Sequence, residues 1–192
     1  MLRIRTENLN TPEYWDNLYR GAEPRDDPER YGAIQEFLRQ QQFQGRVADL
    51  GCGRGELLKQ LAQAGYATEV WGYDHSQVGL DIAAREYPEG NWVWYDIEKL
   101  PCEDAFFDLV CCIQTLEHVE FPAKLVYHVF RILRGGGLAI FSIPLDRQID
   151  HESHVWSYGM ADYKFTQIFG KVVEKQVLFG GKSLLWMVRK KS

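Results

Sequence analysis

The sequence predicts an α/β fold in which helices cover both faces of a mostly parallel sheet. Short apolar runs alternate with helical patterns along most of the chain, as a parallel sheet requires. A glycine-rich turn joins the first strand of that alternation to a helix, and two strand-like segments flank Gly180–Gly181 as a closing hairpin. The length of 192 residues indicates one domain, 1–192.

The first 45 residues predict two helices. Residues 13–20 place their aromatic and apolar side chains on one helical face, and residues 29–41 turn Ile34, Phe37 and Leu38 inward. A polar, proline-containing loop separates the two helices. The aromatic stripe on the first helix indicates a packing surface.

Residues 46–144 alternate strand and helix patterns. We expect strands at 46–50, 69–73, 91–95, 107–113 and 138–143, and helices at 56–64, 77–86 and 123–133. The run 107–113 is apolar apart from Asp108, which predicts a central strand that is buried on both faces. Gly135, Gly136 and Gly137 are expected to close the last of these helices before the strand at 138.

Residues 145–192 are expected to begin irregularly and to end as an antiparallel hairpin. The predicted order is an irregular stretch at 145–158, a helix at 160–169, and strands at 172–179 and 183–189. Arg189, Lys190 and Lys191 form a basic cluster, which we interpret as a frayed, solvated tail.

Composition excludes several classes of function. The formal net charge of −5 offers no broad field for nucleic acid, so such a partner is not expected. The longest apolar run, 109–113, is too short to span a bilayer, and the N-terminus lacks the apolar core of a signal peptide, which predicts a cytoplasmic protein. Cys52, Cys102, Cys111 and Cys112 contain no C-x-x-C pair, so we expect buried thiols.

The strongest local signal is the turn Asp49-Leu50-Gly51-Cys52-Gly53-Arg54-Gly55-Glu56, where the first sheet strand ends. Its glycines allow tight backbone bends and let a ligand approach the backbone amides. The amides at the start of the following helix favour negative charge. A dinucleotide fingerprint needs another glycine at position 56, and the Glu56 carboxylate suits a pyrophosphate poorly.

Acidic residues end the next two strands. Asp74 lies 21 residues after Gly53, where a carboxylate can accept hydrogen bonds from both hydroxyls of a ribose. Asp96 ends the third strand. Because the carboxyl ends of parallel strands meet at one edge of the sheet, these acids and the glycine turn indicate a ligand that contains a nucleoside.

Together these motifs resemble the class I S-adenosylmethionine-dependent methyltransferases of the small-molecule type. The resemblance covers residues 46–144 and includes the D-x-G-x-G-x-G turn and the segments 100–110, 114–119 and 133–138. It implies a doubly wound, seven-stranded, mostly parallel sheet with a C-terminal antiparallel hairpin. It also implies a helical lid segment at 1–45, a cofactor-binding core at 46–144, and an acceptor-side loop, helix and hairpin at 145–192.

The resemblance implies S-adenosylmethionine as the cofactor and S-adenosylhomocysteine as the product. The glycine turn would hold the methionine end, Asp74 the ribose, and Asp96 and Ile97 the adenine. His75 replaces the family's usual apolar residue, so it either stacks on the adenine or stays a bystander. The implied cofactor-binding set is Tyr14, Asp49, Gly51, Cys52, Gly53, Asp74, His75, Asp96, Ile97 and Gln114.

Methyl transfer from a sulfonium mainly requires alignment of the nucleophile, with removal of its proton where needed. The candidates for that removal are His118, after the fourth strand, and His151 and His154, after the fifth. Alternatively, His118 and His154 only fix their loops. Some family members bind a divalent metal through an acid-x-x-Glu-His set, but Gln114 replaces the first acid here, so no metal is predicted.

The sequence thus predicts methyl transfer to an oxygen or nitrogen of a small-molecule acceptor. The lack of a basic groove or a large cap region in the sequence argues against large or polyanionic acceptors. Two alternatives stay open, a methyltransferase that acts on a protein or RNA partner and a non-catalytic S-adenosylmethionine-binding module. Glu56 and Asp96 disfavour a nicotinamide enzyme. The sequence leaves the acceptor and the oligomeric state open.

Overall fold

In the computed structural model a single large sheet organises the chain, and helices cover both of its faces. The structure describes residues 1–21, 27–99, 102–145 and 151–192. Parts of three predicted features lie outside the described residues: the loop after the first helix (22–26), the segment before the fourth strand (100–101) and the irregular stretch (146–150).

Five helices and nine strands form the described fold. The helices are α1 (Pro12–Gly21), α2 (Pro28–Gln40), α3 (Glu56–Gln63), α4 (Gln77–Glu86) and α5 (Pro122–Ile132). The strands are β1 (Leu2–Arg3), β2 (Gly45–Leu50), β3 (Ala67–Asp74), β4 (Asn91–Trp94), β5 (Phe107–Ile113), β6 (Leu133–Pro144), β7 (Trp156–Ser157), β8 (Gly170–Leu178) and β9 (Ser183–Lys190). Short 3-10 helices lie at Ile97–Lys99, Asp162–Ile168 and Phe179–Gly181.

The large sheet has seven strands in the order β4-β3-β2-β5-β6-β9-β8. β4, β3, β2, β5 and β6 are parallel, and β9 runs antiparallel to both β6 and β8. The predicted fold class is therefore confirmed. β5 lies in the middle of the sheet, with Val110 and Cys112 in the core on one face and Leu109 and Cys111 in the core on the other. This confirms the predicted central strand.

Two of the helices that begin near the edge where the parallel strands end have a side-chain cap, and a third has none. α2 begins after Asp27, whose carboxylate accepts a hydrogen bond from the amide of Arg30, and α4 begins after Ser76, whose hydroxyl accepts from Gly79. α3 begins after Gly55, which has a left-handed conformation and no capping side chain. The amides at the start of α3 therefore face the edge of the sheet without a side-chain acceptor at the cap position.

The predicted boundary between the last core helix and the fifth strand is wrong. β6 begins at Leu133 and continues through Gly135–Gly137, because Phe107 pairs with Leu133 before the register shifts and Leu109 pairs with Leu138. The glycines therefore lie within an irregular strand and do not terminate a helix.

Three C-terminal features also differ from the predictions. The irregular stretch contains β7, which pairs antiparallel with β1, and Asp162–Ile168 is a 3-10 helix. The basic cluster is not a frayed tail: Arg189 and Lys190 belong to β9, and their side chains donate to the carbonyls of Gly136 and Leu133. No helix among the described residues combines the length and apolar character needed to cross a bilayer.

Candidate cofactor and acceptor site

A cavity of about 640 Å³ lies where β2, β3, β4 and β5 end. Many of the predicted site residues line it: Gly51, Cys52, Gly53, Asp74, His75, Asp96, Ile97, Gln114 and His118. The parallel sheet therefore brings together the turns that follow four different strands, as expected for a doubly wound fold. The remaining predicted residues, Tyr14, Asp49, His151 and His154, lie around the cavity without lining it.

The glycine turn after β2 leaves no room for side chains. Gly51 has φ +82°, and a Cβ atom there would lie 2.5 Å from the Thr115 hydroxyl oxygen. Gly53 has φ +55°, and a Cβ atom there would lie 2.6 Å from the hydroxyl oxygen of Tyr19. Both conformations are unfavourable for residues with a side chain. The turn thus exposes backbone to the cavity because glycine alone fits at these two positions.

Asp74 fixes the glycine turn from the end of β3. Its Oδ2 accepts a hydrogen bond from the Gly53 amide at 2.8 Å, and its Oδ1 accepts from the Ser76 amide at 2.9 Å. The residue is 7% exposed, and burial raises the pKa of its carboxyl group. Each carboxylate oxygen can accept further hydrogen bonds, so Asp74 can also receive two hydroxyl groups of a ligand.

The end of the cavity near β4 is polar and aromatic. Asp96 forms an ion pair with Lys99, with 2.7 Å between Oδ2 and Nζ. His75 lies beside Trp94, whose indole nitrogen donates to the His75 carbonyl at 2.6 Å. Ile97 adds a half-buried apolar side chain. This end therefore combines flat apolar surface with hydrogen-bond acceptors, which suits a planar base.

Oδ1 of Asp49, which is 4% exposed, and Nε of Arg30 are buried polar atoms without a hydrogen-bond partner among the described residues. Burial, followed by the charges of Asp74 and Glu56, raises the pKa of Asp49 to about 7. Arg30 lines the cavity from the first turn of α2, where its guanidinium pairs with Asp27 and lies 4.9 Å above the Phe179 ring.

Gln114 marks the point where β5 ends in the cavity. Its φ is +51°, which is uncommon for a residue with a side chain and occurs often at functional sites. The conformation is held by two bonds to Ser142 on β6. The Gln114 amide donates to the Ser142 carbonyl at 2.9 Å, and its side-chain nitrogen donates to the hydroxyl at 3.0 Å. The strained turn directs the following residues, Thr115–His118, along the cavity wall.

His118 lies at the opposite end from Asp96, beside α1. Its Nδ1 is 3.1 Å from the Ser153 carbonyl oxygen, and because a carbonyl only accepts, Nδ1 carries the hydrogen of the neutral ring. Nε2 is then the basic atom. The Trp15 ring packs edge-on against His118 with 5.0 Å between centroids. His118 is thus a base candidate whose orientation is fixed by the acceptor-side loop.

His154 and Glu117 both lie next to His118. One ligand atom of each of Glu117, His118 and His154 lies within 4.8 Å of the others, a spacing that could hold a metal ion. Glu117 is 1% exposed, its Oε2 accepts no hydrogen bond from the described residues, and burial raises its pKa to about 8. Glu117 is therefore mainly a neutral acid at neutral pH while no ion is bound, and neutral carboxyl groups are weak ligands.

His151 and Tyr14 lie farther from the cavity. The His151 ring centroid is 5.4 Å from that of His154, and its Nδ1 lies 2.7 Å from the Ser153 hydroxyl oxygen. Tyr14 donates to Glu152 at 3.3 Å and packs edge-on against Trp15. Both residues therefore contact residues at or next to the cavity wall and do not line the cavity themselves.

Sequence reasoning missed several cavity residues. Arg30 gave no signal because a single arginine in the first turn of a helix is ordinary, and Asn10 precedes the first helix without any motif. Trp15 and Tyr19 were recognised as one aromatic face, but their contact with the cavity depends on how α1 docks.

The donors and acceptors fit S-adenosylmethionine. Asp74 can take its ribose hydroxyls, and His75 with Ile97 can face its adenine. The unpartnered atoms of Asp49 and Arg30 offer opposite charges for an amino-acid end that carries both an ammonium and a carboxylate. The two glycine positions that exclude a Cβ atom provide the close backbone approach.

Comparisons with known proteins agree with this fit. The family model described as "Methyltransferase domain" matches residues 48–141. A ubiquinone biosynthesis O-methyltransferase from Nitrosomonas europaea is 37% identical over 122 residues, which cover 61% of this chain and 50% of that protein. The chain spans about half the length of the curated relatives it matches.

Solved structures resemble the fold at lower identity. The N-methyltransferase NodS from Bradyrhizobium japonicum, in complex with S-adenosylhomocysteine, superposes with a TM-score of 0.82 at 18% identity, covering 95% of this chain and 100% of NodS. The [4+2]-cyclase SpnF superposes with a TM-score of 0.68 at 16% identity, covering 78% of this chain and 76% of SpnF. The fold by itself therefore does not define the reaction.

The fold is Rossmann-like, and residues 48–141 match the family model of a methyltransferase domain. Together with the relatives and the fold, this match supports a class I S-adenosylmethionine-dependent methyltransferase. The predicted family and cofactor are thereby confirmed.

Proposed function

We propose that this protein transfers a methyl group from S-adenosylmethionine to an oxygen atom of a small-molecule acceptor. The observation that carries the proposal is that one cavity contains both the adenosine-binding residues and a histidine oriented as a base. A donor and an acceptor bound in the same cavity can meet in line, which is the main requirement of methyl transfer.

The chain's own residues would hold the cofactor in a fixed direction. Asp74 would accept from the ribose, Asp96 and Ile97 would face the adenine, and His75 would lie against the same ring. Asp49, behind the glycine turn, would serve the ammonium directly or through water, and Arg30 could pair with the carboxylate. When bound, S-adenosylmethionine would supply a methyl group on a positively charged sulfur. Gln114 and Thr115, which follow β5, line the same cavity as Asp74 and His118.

His118 would remove the proton from the acceptor hydroxyl. Its Nδ1–H donates to the Ser153 carbonyl, which orients the ring, and Nε2 would accept the proton. Oε1 of Glu117 lies 3.8 Å from Nε2, and because burial keeps this carboxyl group mainly protonated, it would stabilise a protonated ring only after losing its own proton. His154 packs on His118 with 5.0 Å between ring centroids and limits its rotation. Tyr14 and His151 act as supports for this arrangement.

Three observations support an oxygen of a small molecule as the acceptor. The curated relatives are O-methyltransferases at 33–38% identity, whereas the N-methyltransferase NodS shares only 18%. The acceptor end is bounded by Trp15, Asn10 and His118, which leaves a partly enclosed space. The net charge of −5 disfavours a nucleic-acid acceptor. We also propose a cytoplasmic location, since all four cysteines are free thiols.

The test is methylation of an acceptor panel by the purified chain with methyl-labelled S-adenosylmethionine. The panel contains catechols, phenols, carboxylic acids and amines, each beside an analogue that is fully methylated on its reactive oxygen or nitrogen as a blocked control. We expect label on phenolic or catecholic oxygen, located by mass spectrometry, and none on the blocked analogues. Binding of S-adenosylhomocysteine without turnover of any hydroxyl compound, or label on nitrogen alone, would contradict the proposal.

A further inference from the structure

A second cleft, of about 700 Å³, lies between α1 and α4, next to the cofactor cavity. Tyr19 and Arg54 line both spaces and therefore form the wall between them. The proposed ribose acid, Asp74, lines the cofactor cavity and does not line this second cleft. The other described residues that line the second cleft belong to the two helices and are Arg20, Val78, Asp81, Ile82, Ala84 and Arg85.

Three guanidinium groups from three different segments line the second cleft. Arg20 lies in the last turn of α1, Arg54 in the glycine turn, and Arg85 in the last turn of α4. Asp81 is the only acid among the described residues that line it, and its carboxylate already accepts from the Gln77 side chain at 2.8 Å. The second cleft is therefore cationic, although the chain as a whole carries a formal net charge of −5.

Neutral acceptors hold two of these arginines in place. Arg20 donates to the side-chain oxygen of Asn17 at 2.8 Å, and Arg54 donates to the Tyr19 carbonyl at 2.8 Å. Arg20 and Arg85 are exposed, and neither forms an ion pair with an acid of the described residues. The charges of Arg20 and Arg85 can therefore pair with an anion that enters the second cleft.

The second cleft also has an apolar part. Val78 and Ile82 are half-buried and lie four residues apart, so they share one face of α4. Tyr19 adds an aromatic ring from α1, with its centroid 6.0 Å from the guanidinium carbon of Arg54. A ligand that suits this lining carries both an anionic group and an apolar or aromatic body.

From this lining we propose that the second cleft binds an organic phosphate, a phosphate ester with an apolar or aromatic body. The planar fork of a guanidinium matches phosphate oxygens with paired hydrogen bonds. A phosphate ester carries about two negative charges at neutral pH, which Arg20 and Arg85 share. Val78, Ile82 and Tyr19 contact the body of the ester. This binding does not require methyl transfer, so it goes beyond the proposed function.

The experiment is calorimetric titration of phenyl phosphate into the purified chain, first alone and then with saturating S-adenosylhomocysteine. We expect saturable binding in both cases, with a dissociation constant of about 1 mM or below at low ionic strength. High ionic strength should weaken the binding about fivefold, because exposed charges are screened. Inorganic phosphate should bind about tenfold more weakly than phenyl phosphate, because it has no apolar body.

Substitutions of the two exposed arginines locate the phosphate. Arg20→Ala and Arg85→Ala should each weaken phenyl phosphate binding about tenfold, and Arg85→Lys should weaken it less, because lysine keeps the charge and loses the planar fork. Lys124→Ala is the matched control, since it removes an exposed cation from α5, which packs on the other face of the sheet. All four variants should keep the wild-type melting temperature and affinity for S-adenosylhomocysteine, which shows that they fold.

Two results would overturn the inference directly. One is the lack of saturable phenyl phosphate binding to the wild type, and the other is binding that Arg20→Ala and Arg85→Ala leave unchanged, because the phosphate would then occupy a different site. Equal affinities for phenyl phosphate and inorganic phosphate would overturn the role of the apolar lining. Failure of the wild type to bind S-adenosylhomocysteine would overturn the proposed function alone, since the titration without that ligand still tests the second cleft.

Discussion

At the proposed adenosine end of the cavity, each contact comes from a residue at or just after the end of one strand, whereas the proposed acceptor end is assembled from segments far apart in the sequence. Asp74 ends β3, and Gly53 and Asp96 lie in the turns that follow β2 and β4. His118, Trp15 and the Ser153 carbonyl meet only because the N-terminal segment and the loop after β6 both pack on the turn after β5. The first end is therefore specified by local patterns, and the second by tertiary packing.

The most severe test of this comparison is Asp74→Ala. We expect S-adenosylhomocysteine to bind about 1,000-fold more weakly, because the carboxylate would accept two ribose hydroxyls and already holds the Gly53 and Ser76 amides. Calorimetric titration measures the change. Asp81→Ala removes an exposed acid from the neighbouring α4 and should bind normally. Equal affinity in both variants would refute the assignment of the adenosine end.

His118→Gln tests the acceptor end alone. Turnover of the best acceptor should fall about 100-fold, since a positioned general base commonly contributes that much. The dissociation constant of S-adenosylhomocysteine should stay within about twofold of the wild-type value, because His118 lies away from the adenosine contacts. Steady-state kinetics and calorimetry separate the two effects. An unchanged turnover number would mean that another group accepts the proton.

Gly53→Ala and Gly65→Ala form a matched pair that sharpens the comparison. Both glycines have positive φ, at +55° and +79°, but a Cβ atom meets Tyr19 only at Gly53 and nothing within 4 Å at Gly65. Both variants should lose about 1 kcal/mol of unfolding free energy through backbone strain. Only Gly53→Ala should also weaken S-adenosylhomocysteine binding, by about tenfold. Equal binding by the two variants would show that the close approach has no role.

Asp49→Asn gives the smallest expected effect, a change in pH dependence. The Asp49 pKa is raised from 3.8 to about 7, so the folded state retains a proton that the unfolded chain releases. The associated stability is fully present below the unfolded pKa and is lost as the pH rises through about 7. Relative to wild type, Asp49→Asn should therefore gain stability in urea unfolding as the pH rises from about 4 to about 7, with no further gain above about pH 8. Unfolding free energies of the wild type and Asp49→Asn that change with pH by the same amount would contradict this prediction.

The sequence predicted the fold well because the signals of a parallel sheet are local. The apolar run 107–113 identified the central strand, and the glycine turn with its acids identified the cavity edge. The predictions of secondary structure were wrong where pairing between strands that are distant in sequence determines the structure. β1 and β7 have two residues each, and no pattern of that length predicts a strand. The glycines at 135–137 resembled a helix terminator, but their pairing with β5 keeps them in a strand.

The candidate site was predictable to a different extent at its two ends. Asp74, His75, Asp96 and Ile97 line the cavity as expected from their positions. The contribution of Arg30, the Trp15–His118 contact and the grouping of His154 with Glu117 each require two distant segments to meet. The roles of the predicted site residues, and the division at 1–45, 46–144 and 145–192, stay predictions for the experiments above.

The positions of the four cysteines also determine how the folded chain reacts with alkylating reagents. Cys111 and Cys112 lie at the centre of the sheet with no exposed surface, and burial raises the pKa of both thiols. Cys52 is 7% exposed in the cavity wall, so a bound cofactor would shield it, and Cys102 is partly exposed outside it. Slow alkylation should therefore begin at Cys102. The rate at which Cys111 and Cys112 are labelled would measure the rate at which the whole sheet opens.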